Sequence, residues 1–151
     1  MHGVGKGARS LVVPGTIRPV TINDERRLVT VLFVDLVGFT GRSESSDPEQ
    51  VRDLQREYFG AVAAEVERYG GSVEKYIGDA VMALFGVPQA HDDDAERALR
   101  AALAIRDAMS AVDGGLEIRV GVNTGEVVGG SGGPQQGAYS VSGDAVNVAA
   151  R

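Results

Sequence analysis

The sequence predicts an α+β fold in which two amphipathic helices pack on an antiparallel-containing sheet, the split βαβ type of sandwich. Three observations predict it. Strand-like and helix-like segments follow one another in the order β-α-β-β-α-β-β, and a further helix then begins. Two of the strands are separated only by Gly78-Asp79, which is typical of a hairpin and therefore of antiparallel pairing. The chain has 151 residues, 43% of them apolar, which is enough for one domain with its own core.

Composition excludes several classes of protein. The chain contains no cysteine and only two histidines, which excludes a disulfide scaffold and a cysteine zinc site. A net charge of −6 is unfavourable for nucleic-acid binding. No apolar run is long enough for a membrane span, and no signal-peptide core follows Met1, so we expect a cytoplasmic protein with no membrane span and no nucleic-acid partner.

The N-terminal region and the first strand differ sharply in pattern. Residues 1–27 are rich in glycine and show no useful period, so they are interpreted as a flexible N-terminal arm, with the domain occupying 28–151. Residues 28–34 are apolar and largely β-branched, which indicates a strand buried on both faces that ends at Asp35.

The first helix and the hairpin follow. Ser46-Asp47-Pro48-Glu49 is a helix-start signal, and apolar residues then recur at helical spacing as far as Val66, before Gly70-Gly71. Residues 73–77 and 80–85 are the two strands of the Gly78-Asp79 hairpin.

The second half of the chain repeats this pattern. Asp92-Asp93-Asp94 is expected to cap a second helix, and its buried face is predicted to comprise Ala95, Leu99, Ala102, Ile105, Met109 and Val112. Residues 116–122 predict a strand that turns at Thr124-Gly125 into a short strand over 126–128. Residues 129–138 predict a loop, and a last helix begins at Gly143-Asp144.

Two aspartates are candidates for metal binding. Asp35 follows the first strand and Asp79 occupies the hairpin turn, so both carboxylates can meet at one sheet edge if that strand pairs beside the hairpin. A divalent cation relieves the repulsion between two such groups, and Mg²⁺ binds carboxylates together with substrate phosphates.

Phosphate binding has a weaker signal. The chain has no Gly-x-x-x-x-Gly-Lys-Ser/Thr loop, which excludes a P-loop enzyme. The backbone amides near Gly38, Phe39 and Thr40, just after Asp35, could form an anion-binding nest.

Four long motifs, in order, resemble those of the class III nucleotidyl cyclase catalytic domain. They are Val34-Asp35-Leu36-Val37-Gly38-Phe39-Thr40, the stretch Glu74–Gly86 containing Lys75-Tyr76-Ile77-Gly78-Asp79, Ile118–Val127, and Gly143–Arg151. The likeness runs from about residue 26 to the last residue and is closest to the bacterial homodimeric branch. It implies a ferredoxin-like, palm-like βαββαβ core, here incomplete at the C-terminus.

The resemblance implies a role for each matched residue. Asp35 and Asp79 correspond to the two metal-binding aspartates, and the Leu36 carbonyl to a further ligand of one of two Mg²⁺ or Mn²⁺ ions. Lys75 corresponds to the lysine that reads the purine edge, with Ser140 at the position of its partner. Asn147 corresponds to the residue that orients the ribose, and Arg151 corresponds to the arginine that stabilises the transition state. Arg119 corresponds to an arginine that binds the triphosphate.

These roles imply an adenylate cyclase that converts ATP to 3′,5′-cyclic AMP and pyrophosphate. In the family each site takes Asp35, Asp79 and Arg119 from one chain, and Lys75, Ser140, Asn147 and Arg151 from the other, so the implied enzyme is a homodimer. A guanylyl cyclase or a diguanylate cyclase relative is a rival enzyme. Guanylyl cyclases use Glu and Cys where this chain has Lys75 and Ser140, which favours ATP over GTP, and the absence of a Gly-Gly-Asp/Glu-Glu-Phe signature argues against a diguanylate cyclase.

One alternative remains open. The family domain continues past the arginine at the position of Arg151, so the chain is expected to have little activity by itself. It could instead be an inactive cyclase-homology module that binds nucleotide or dimerises with an intact cyclase-domain partner.

Overall fold

The computed structural model describes residues 9–11, 20–22, 25–112, 114–131 and 139–151. The strands are β1 (Arg9–Leu11), β2 (Val20–Ile22), β3 (Glu25–Leu36), β4 (Ser72–Ile77), β5 (Ala80–Phe85), β6 (Ile118–Ser131) and β7 (Tyr139–Ser142). The helices are α1 (Phe39–Ser45), α2 (Pro48–Arg68), α3 (Asp94–Ala111) and α4 (Asp144–Ala149). Among these residues, no helix is long and apolar enough to cross a membrane.

The main sheet confirms the predicted fold class. Its five strands lie in the order β4-β5-β3-β6-β7, and every neighbouring pair is antiparallel. Helix α2 connects β3 to β4 and α3 connects β5 to β6, so each connection skips one strand, as in a split βαβ sandwich. Strand β3 is the central strand, which is the position the first strand must have for Asp35 to lie beside the hairpin.

Strand β3 is buried on both faces, as its sequence predicts. On one face Leu32 and Val34 pack with α2 and α3. On the other face Val29 and Val31 pack with Met82 and with the short helix α4. Helix α4 therefore covers the face of the sheet that α2 and α3 leave free.

The N-terminal boundary differs from the prediction. Strand β3 begins at Glu25 rather than at Leu28, because its first residues pair with the distal part of β6, from Glu25 opposite Gly129 onward. The segment assigned to the arm also contains β1 and β2, which pair with each other. Its other residues lie outside the described ranges.

The predicted turn at Thr124-Gly125 is wrong. Strand β6 passes through both residues without interruption and pairs with β3 along its whole length up to Gly129. A β-carbon on Gly125 would lie 2.7 Å from the β-carbon of Ala145 in α4. The glycine is there to let α4 approach the sheet, and a single sequence does not distinguish that role from a turn.

The buried face of α3 is confirmed in part, because Ile105 and Met109 are buried and Ala102 and Val112 pack against the core, whereas Ala95 and Leu99 are exposed. Leu99 is 54% exposed, and the residues of α3 that are fully buried are Ala98, Ala101, Ile105 and Met109. The small alanines allow α3 to lie close to β3 and α2, and this rotates Leu99 out of the core. Helix α2 does bury its predicted residues Tyr58, Val62 and Val66, and it begins as predicted, with Asp47 accepting a hydrogen bond from the Glu49 amide at 2.9 Å.

Candidate active site

The carboxylates of Asp35 and Asp79 converge, as the sequence predicts. Asp35 is the penultimate residue of β3, and Asp79 occupies the turn between β4 and β5. Since Val34 pairs with Val81, the end of β3 lies beside that turn. The two side chains are close enough to share a hydrogen bond, and the pKa of Asp35 is raised, first by burial and then by the charge of Asp79.

Arg119 lies across from this pair. It is the register partner of Asp35 in β6, and its charge lowers the pKa of Asp35, although not enough to cancel the two raising effects. Leu36 also favours the ionised form through a backbone hydrogen bond to Asp35. A carboxylate whose ionised form is disfavoured in this way is a good ligand for a hard cation, because the cation removes the repulsion.

Among the described residues, no group of three or more His, Cys, Asp or Glu side chains could hold a metal ion. A cation at Asp35 and Asp79 would therefore need oxygen atoms from backbone, water or substrate phosphates to complete its coordination. Mg²⁺ is commonly bound in this way, with few protein carboxylates and several other oxygen ligands. The donor set fits the predicted ion, and the Leu36 carbonyl remains a predicted ligand.

A cavity of about 350 Å³ opens in front of Asp35. Strand β6 contributes Arg119 and Gly121 to its wall, and the C-terminal end of the described chain contributes Arg151. Two arginines beside a carboxylate pair suit a ligand that carries several negative charges and a cation together. The family resemblance places Arg151 in the partner's site, whereas here it lines the cavity of its own chain.

The segment after Asp35 forms the start of α1. Gly38 has a left-handed backbone with φ of 72° and precedes the first residue of that helix. Phe39 packs against the core under α2 and α3. The side chain of Thr40 is outside the described parts, so anion binding by Gly38, Phe39 and Thr40 stays a prediction.

Two other predicted substrate residues, Lys75 and Asn147, do not line the cavity. Lys75 is exposed on the edge strand β4, and Asn147 is exposed on α4. Ser140 pairs with Gly130 in β7, and its side chain is not among the described ones. One chain thus brings together Asp35, Asp79 and Arg119, while Lys75 and Asn147 do not line this cavity.

Tyr58 is hydrogen-bonded to the backbone beside Asp35, a contact that the sequence did not predict. Its hydroxyl donates a hydrogen bond to the Val34 carbonyl oxygen at 3.0 Å, and its side chain is fully buried. Burial is the main cause of its raised pKa, and the charges of Asp35 and Asp79 add to it. Helical spacing predicts only that Tyr58 faces the core. The contact with the residue before Asp35 depends on how α2 lies across β3.

Gly121 sets the position of α4, and we expect Gly121→Ala to destabilise the domain by about 1–3 kcal/mol. A β-carbon there would collide with the Ala149 carbonyl oxygen and push α4 from the sheet. Urea unfolding measures the loss. The control is Gly60→Ala, an exposed position in α2 with no neighbouring atom in the way, where a gain of about 1 kcal/mol is expected. Equal stability of Gly121→Ala and the unmodified protein would contradict this role.

Glu74 is a buried carboxylate next to Lys75. It is 5% exposed, and its Oε2 atom has no hydrogen-bond partner. The Lys75 ammonium lies 3.7 Å from that oxygen. Burial raises the pKa of Glu74, and Lys75 opposes the increase only in part. The Lys75 ammonium, which is predicted to read the purine, is therefore attracted by the buried Glu74 carboxylate, and its charge in turn stabilises the ionised form of that carboxylate.

We expect Glu74→Gln to stabilise the protein at pH 8 by on the order of 1 kcal/mol and to have little effect at pH 4. The folded-state pKa of Glu74 lies above its ordinary value of 4.5, so its stabilising effect is complete below that value and is lost as the pH rises through the folded pKa. Urea unfolding at both pH values tests this, with the exposed Glu57→Gln as control. A stability difference that is the same at both pH values would contradict the prediction.

Comparison with known proteins places this geometry in a family. A profile of the family described as "Adenylate and Guanylate cyclase catalytic domain" matches residues 23–151. Adenylate cyclase 1 of Rhizobium meliloti is 35% identical over 135 residues, covering 83% of this chain and 20% of that protein. An uncharacterized protein of Mycobacterium tuberculosis, Rv1319c, is 37% identical over 131 residues. The match covers 86% of this chain and 24% of that protein. The chain thus spans about a quarter of the length of the first curated relatives it matches.

Solved structures agree with this assignment. The adenylyl cyclase CyaB from P. aeruginosa is 33% identical with a TM-score of 0.80, covering 85% of this chain and 72% of that one. The guanylyl cyclase Cya2 is 38% identical with a TM-score of 0.74, covering 84% of this chain and 69% of that one. Neighbours of both nucleotide types are similarly close, so overall likeness does not separate an ATP enzyme from a GTP enzyme.

Proposed function

The chain belongs to the adenylate and guanylate cyclase catalytic-domain family, and on that premise we propose that it converts ATP to 3′,5′-cyclic AMP and pyrophosphate. The observation that carries the proposal is the convergence of Asp35 and Asp79, with Asp35 and Arg119 lining a cavity that a nucleotide's phosphates could enter. In this reaction the ribose 3′-hydroxyl loses its proton to solvent and its oxygen forms a bond to the α-phosphorus. The bond between the α-phosphorus and the oxygen that bridges to the β-phosphorus breaks, and pyrophosphate leaves.

The carboxylates of Asp35 and Asp79 would hold two Mg²⁺ or Mn²⁺ ions, with the Leu36 carbonyl as a further ligand. When bound, these ions supply Lewis acidity that lowers the pKa of the 3′-hydroxyl and offsets charge on the phosphate oxygens. Arg119 lies opposite Asp35 and binds the triphosphate through its planar cation. The amides of Gly38, Phe39 and Thr40 bind phosphate oxygens beside it.

The second half of the site comes from a partner copy in this proposal. Lys75 and Ser140 read the purine edge, Asn147 orients the ribose, and Arg151 stabilises negative charge as it develops on the phosphate. Lys75 and Asn147 do not line the Asp35 cavity of their own chain, which supports this division for those two residues, whereas Arg151 does line it. A symmetric pair of copies would then contain two equivalent sites.

A lysine at position 75 supports ATP as substrate. The ammonium group donates hydrogen bonds and accepts none, so it matches an acceptor such as adenine N1 and not the N–H group that guanine has there. A carboxylate at this position would match guanine instead. The Ser140 hydroxyl can both donate and accept, so selectivity depends on its pairing with Lys75.

The test is the conversion of labelled ATP to cyclic AMP in the presence of Mn²⁺, for this chain alone and for this chain mixed with an intact cyclase-domain partner. We expect product from ATP, much less from GTP, and none when Asp79 is changed to Asn. If this chain binds ATP without turnover, and activity appears only when an intact cyclase-domain partner is added, the alternative is supported: the chain is then an inactive cyclase-homology module that binds nucleotide or dimerises with that partner. Turnover that survives Asp79→Asn would overturn the proposed site.

A further inference from the structure

Helix α3 presents an apolar seam that the active site does not use. Leu99 and Leu103 are 54% and 52% exposed, and they lie one helical turn apart on the side of α3 opposite the core. Glu96, Arg106 and Ser110 lie on the same side, so that positions 96, 99, 103, 106 and 110 follow the alternating spacing of three and four residues. That spacing forms one straight contact line between two helices.

The charges on this seam are complementary to a second copy in one orientation. If two α3 helices pack antiparallel with a two-fold axis level with Ala101, Leu99 of each copy meets Leu103 of the other. In the same register Glu96 of each copy meets Arg106 of the other. A parallel arrangement would instead place Glu96 against Glu96, which is repulsive. A two-fold contact of this kind is self-complementary by construction.

The present partners of these charges would not prevent the rearrangement. Glu96 accepts hydrogen bonds from Arg100 at 2.7 and 3.0 Å, and Arg106 binds Asp107 at 3.1 and 3.2 Å. All four side chains are more than half exposed, and exposed pairs of this kind contribute little to stability. A neighbouring copy can therefore share or replace these contacts at small cost.

We propose that the α3 seam, defined as Glu96, Leu99, Leu103 and Arg106, is a docking surface for the same seam of a second copy of this chain, packed antiparallel. This contact is separate from the cyclase site, because α3 covers one face of the sheet while the Asp35 cavity is formed with the end of α4 on the other. The inference does not depend on the proposed function. A contact made by one helix from each copy is small, roughly 1,000 Å² or less, and belongs to the weak, transient class.

The test is the weight-average mass by sedimentation equilibrium over a concentration series reaching about 1 mM, the range in which weak contacts populate. We expect the mass of the unmodified chain to rise with concentration, and Leu103→Glu to lower it by up to twofold at the upper end. This difference between the two proteins reports the α3 seam, because association through the cyclase site would raise the mass of both. The control is Leu28→Glu, which changes a leucine outside the seam that is more exposed than Leu103, at 70% against 52%, and which should leave the mass unchanged. Circular dichroism and the urea midpoint show that each variant is folded.

Charge-reversal variants distinguish this specific contact from nonspecific self-association. Glu96→Arg should weaken association about tenfold, because the introduced guanidinium would then face Arg106 of the other copy, and Glu96→Arg combined with Arg106→Glu should restore it. Cyclase activity per chain should be unaffected by the double change. The proposal is overturned by an unmodified chain whose mass is independent of concentration, by equal effects of Leu103→Glu and Leu28→Glu, or by a double charge reversal that fails to restore association.

Discussion

Replacing Asp35 by asparagine is expected to abolish cyclic nucleotide formation and, at the same time, to stabilise the protein in the absence of metal. The loss of activity should be about 10³-fold or more, since a ligand of the catalytic ions contributes several kcal/mol to the transition state. The gain in stability follows from the raised pKa of Asp35, which shows that the ionised carboxylate is disfavoured beside Asp79 in the folded state. A gain in stability together with a loss of activity is the trade-off expected for a functional group held in an unfavourable environment, and the response to Mn²⁺ then tests whether that group binds metal.

The pH dependence of stability shows whether Asp35→Asn stabilises or destabilises the folded protein. Because the folded-state pKa of Asp35 is above the ordinary value of 3.8, the carboxyl stabilises the fold fully only below that value, and the stabilisation is lost as the pH rises through the folded pKa. The asparagine variant should not show this decline. Thermal unfolding at pH 7 without metal should thus favour the variant, and addition of Mn²⁺ should stabilise only the unmodified protein.

Asp53→Asn is the matched control for Asp35→Asn. Asp53 is an exposed aspartate of α2 that pairs with Arg56 at 3.5 Å, so its replacement removes the same charge at a place remote from the cavity. Its stability should change by less than about 0.5 kcal/mol, and its activity should be unchanged. An Asp35→Asn variant that keeps activity within tenfold of the unmodified enzyme would show that the metal role is wrong.

The second large effect concerns the choice of nucleotide. Changing Lys75 to Glu together with Ser140 to Cys is expected to move the ratio of kcat/KM for ATP over GTP by at least about 100-fold towards GTP. The carboxylate accepts hydrogen bonds from guanine N1–H and the amino group and has no partner on adenine N1. Lys75→Glu alone should lower turnover of ATP with little gain for GTP, because the partner position is unchanged.

The neighbour of Lys75 complicates this experiment and also improves it. Lys75→Glu removes the cation beside the buried Glu74 and introduces a second carboxylate, so a loss of activity could reflect lost stability. The substitutions should therefore be made in the Glu74→Gln background, where no buried charge depends on Lys75. Steady-state assays with both nucleotides give the ratio. If the ratio in that background stays constant, Lys75 does not read the base.

Much of the architecture could be predicted because it depends on patterns among residues that are close in the chain. The apolar run at 28–34 predicted a strand buried on both faces, and the helix-start signal at Asp47 was confirmed in its hydrogen bond. The errors arose where one local pattern has two structural explanations. Thr124-Gly125 has the composition of a turn, yet the glycine serves the packing of α4 inside a continuous strand. On α3 the prediction placed Leu99 in the core, whereas the helix is turned so that Ala98 and Ala101 are buried together with Ile105 and Met109.

The sequence by itself determined the order β3-α2-β4-β5-α3-β6, the class of fold and the pair of aspartates, since periodicity, capping and turn chemistry act between residues close in the chain. It did not predict β1, β2 or α1. Only the tertiary structure decided that β3 is central, that Asp35 and Asp79 meet, that Tyr58 supports them, and that Glu74 is buried beside Lys75. The reason is physical. Pairing register and helix placement bring together groups more than 20 residues apart, and the burial and charge that shift a pKa exist only once those groups are in contact.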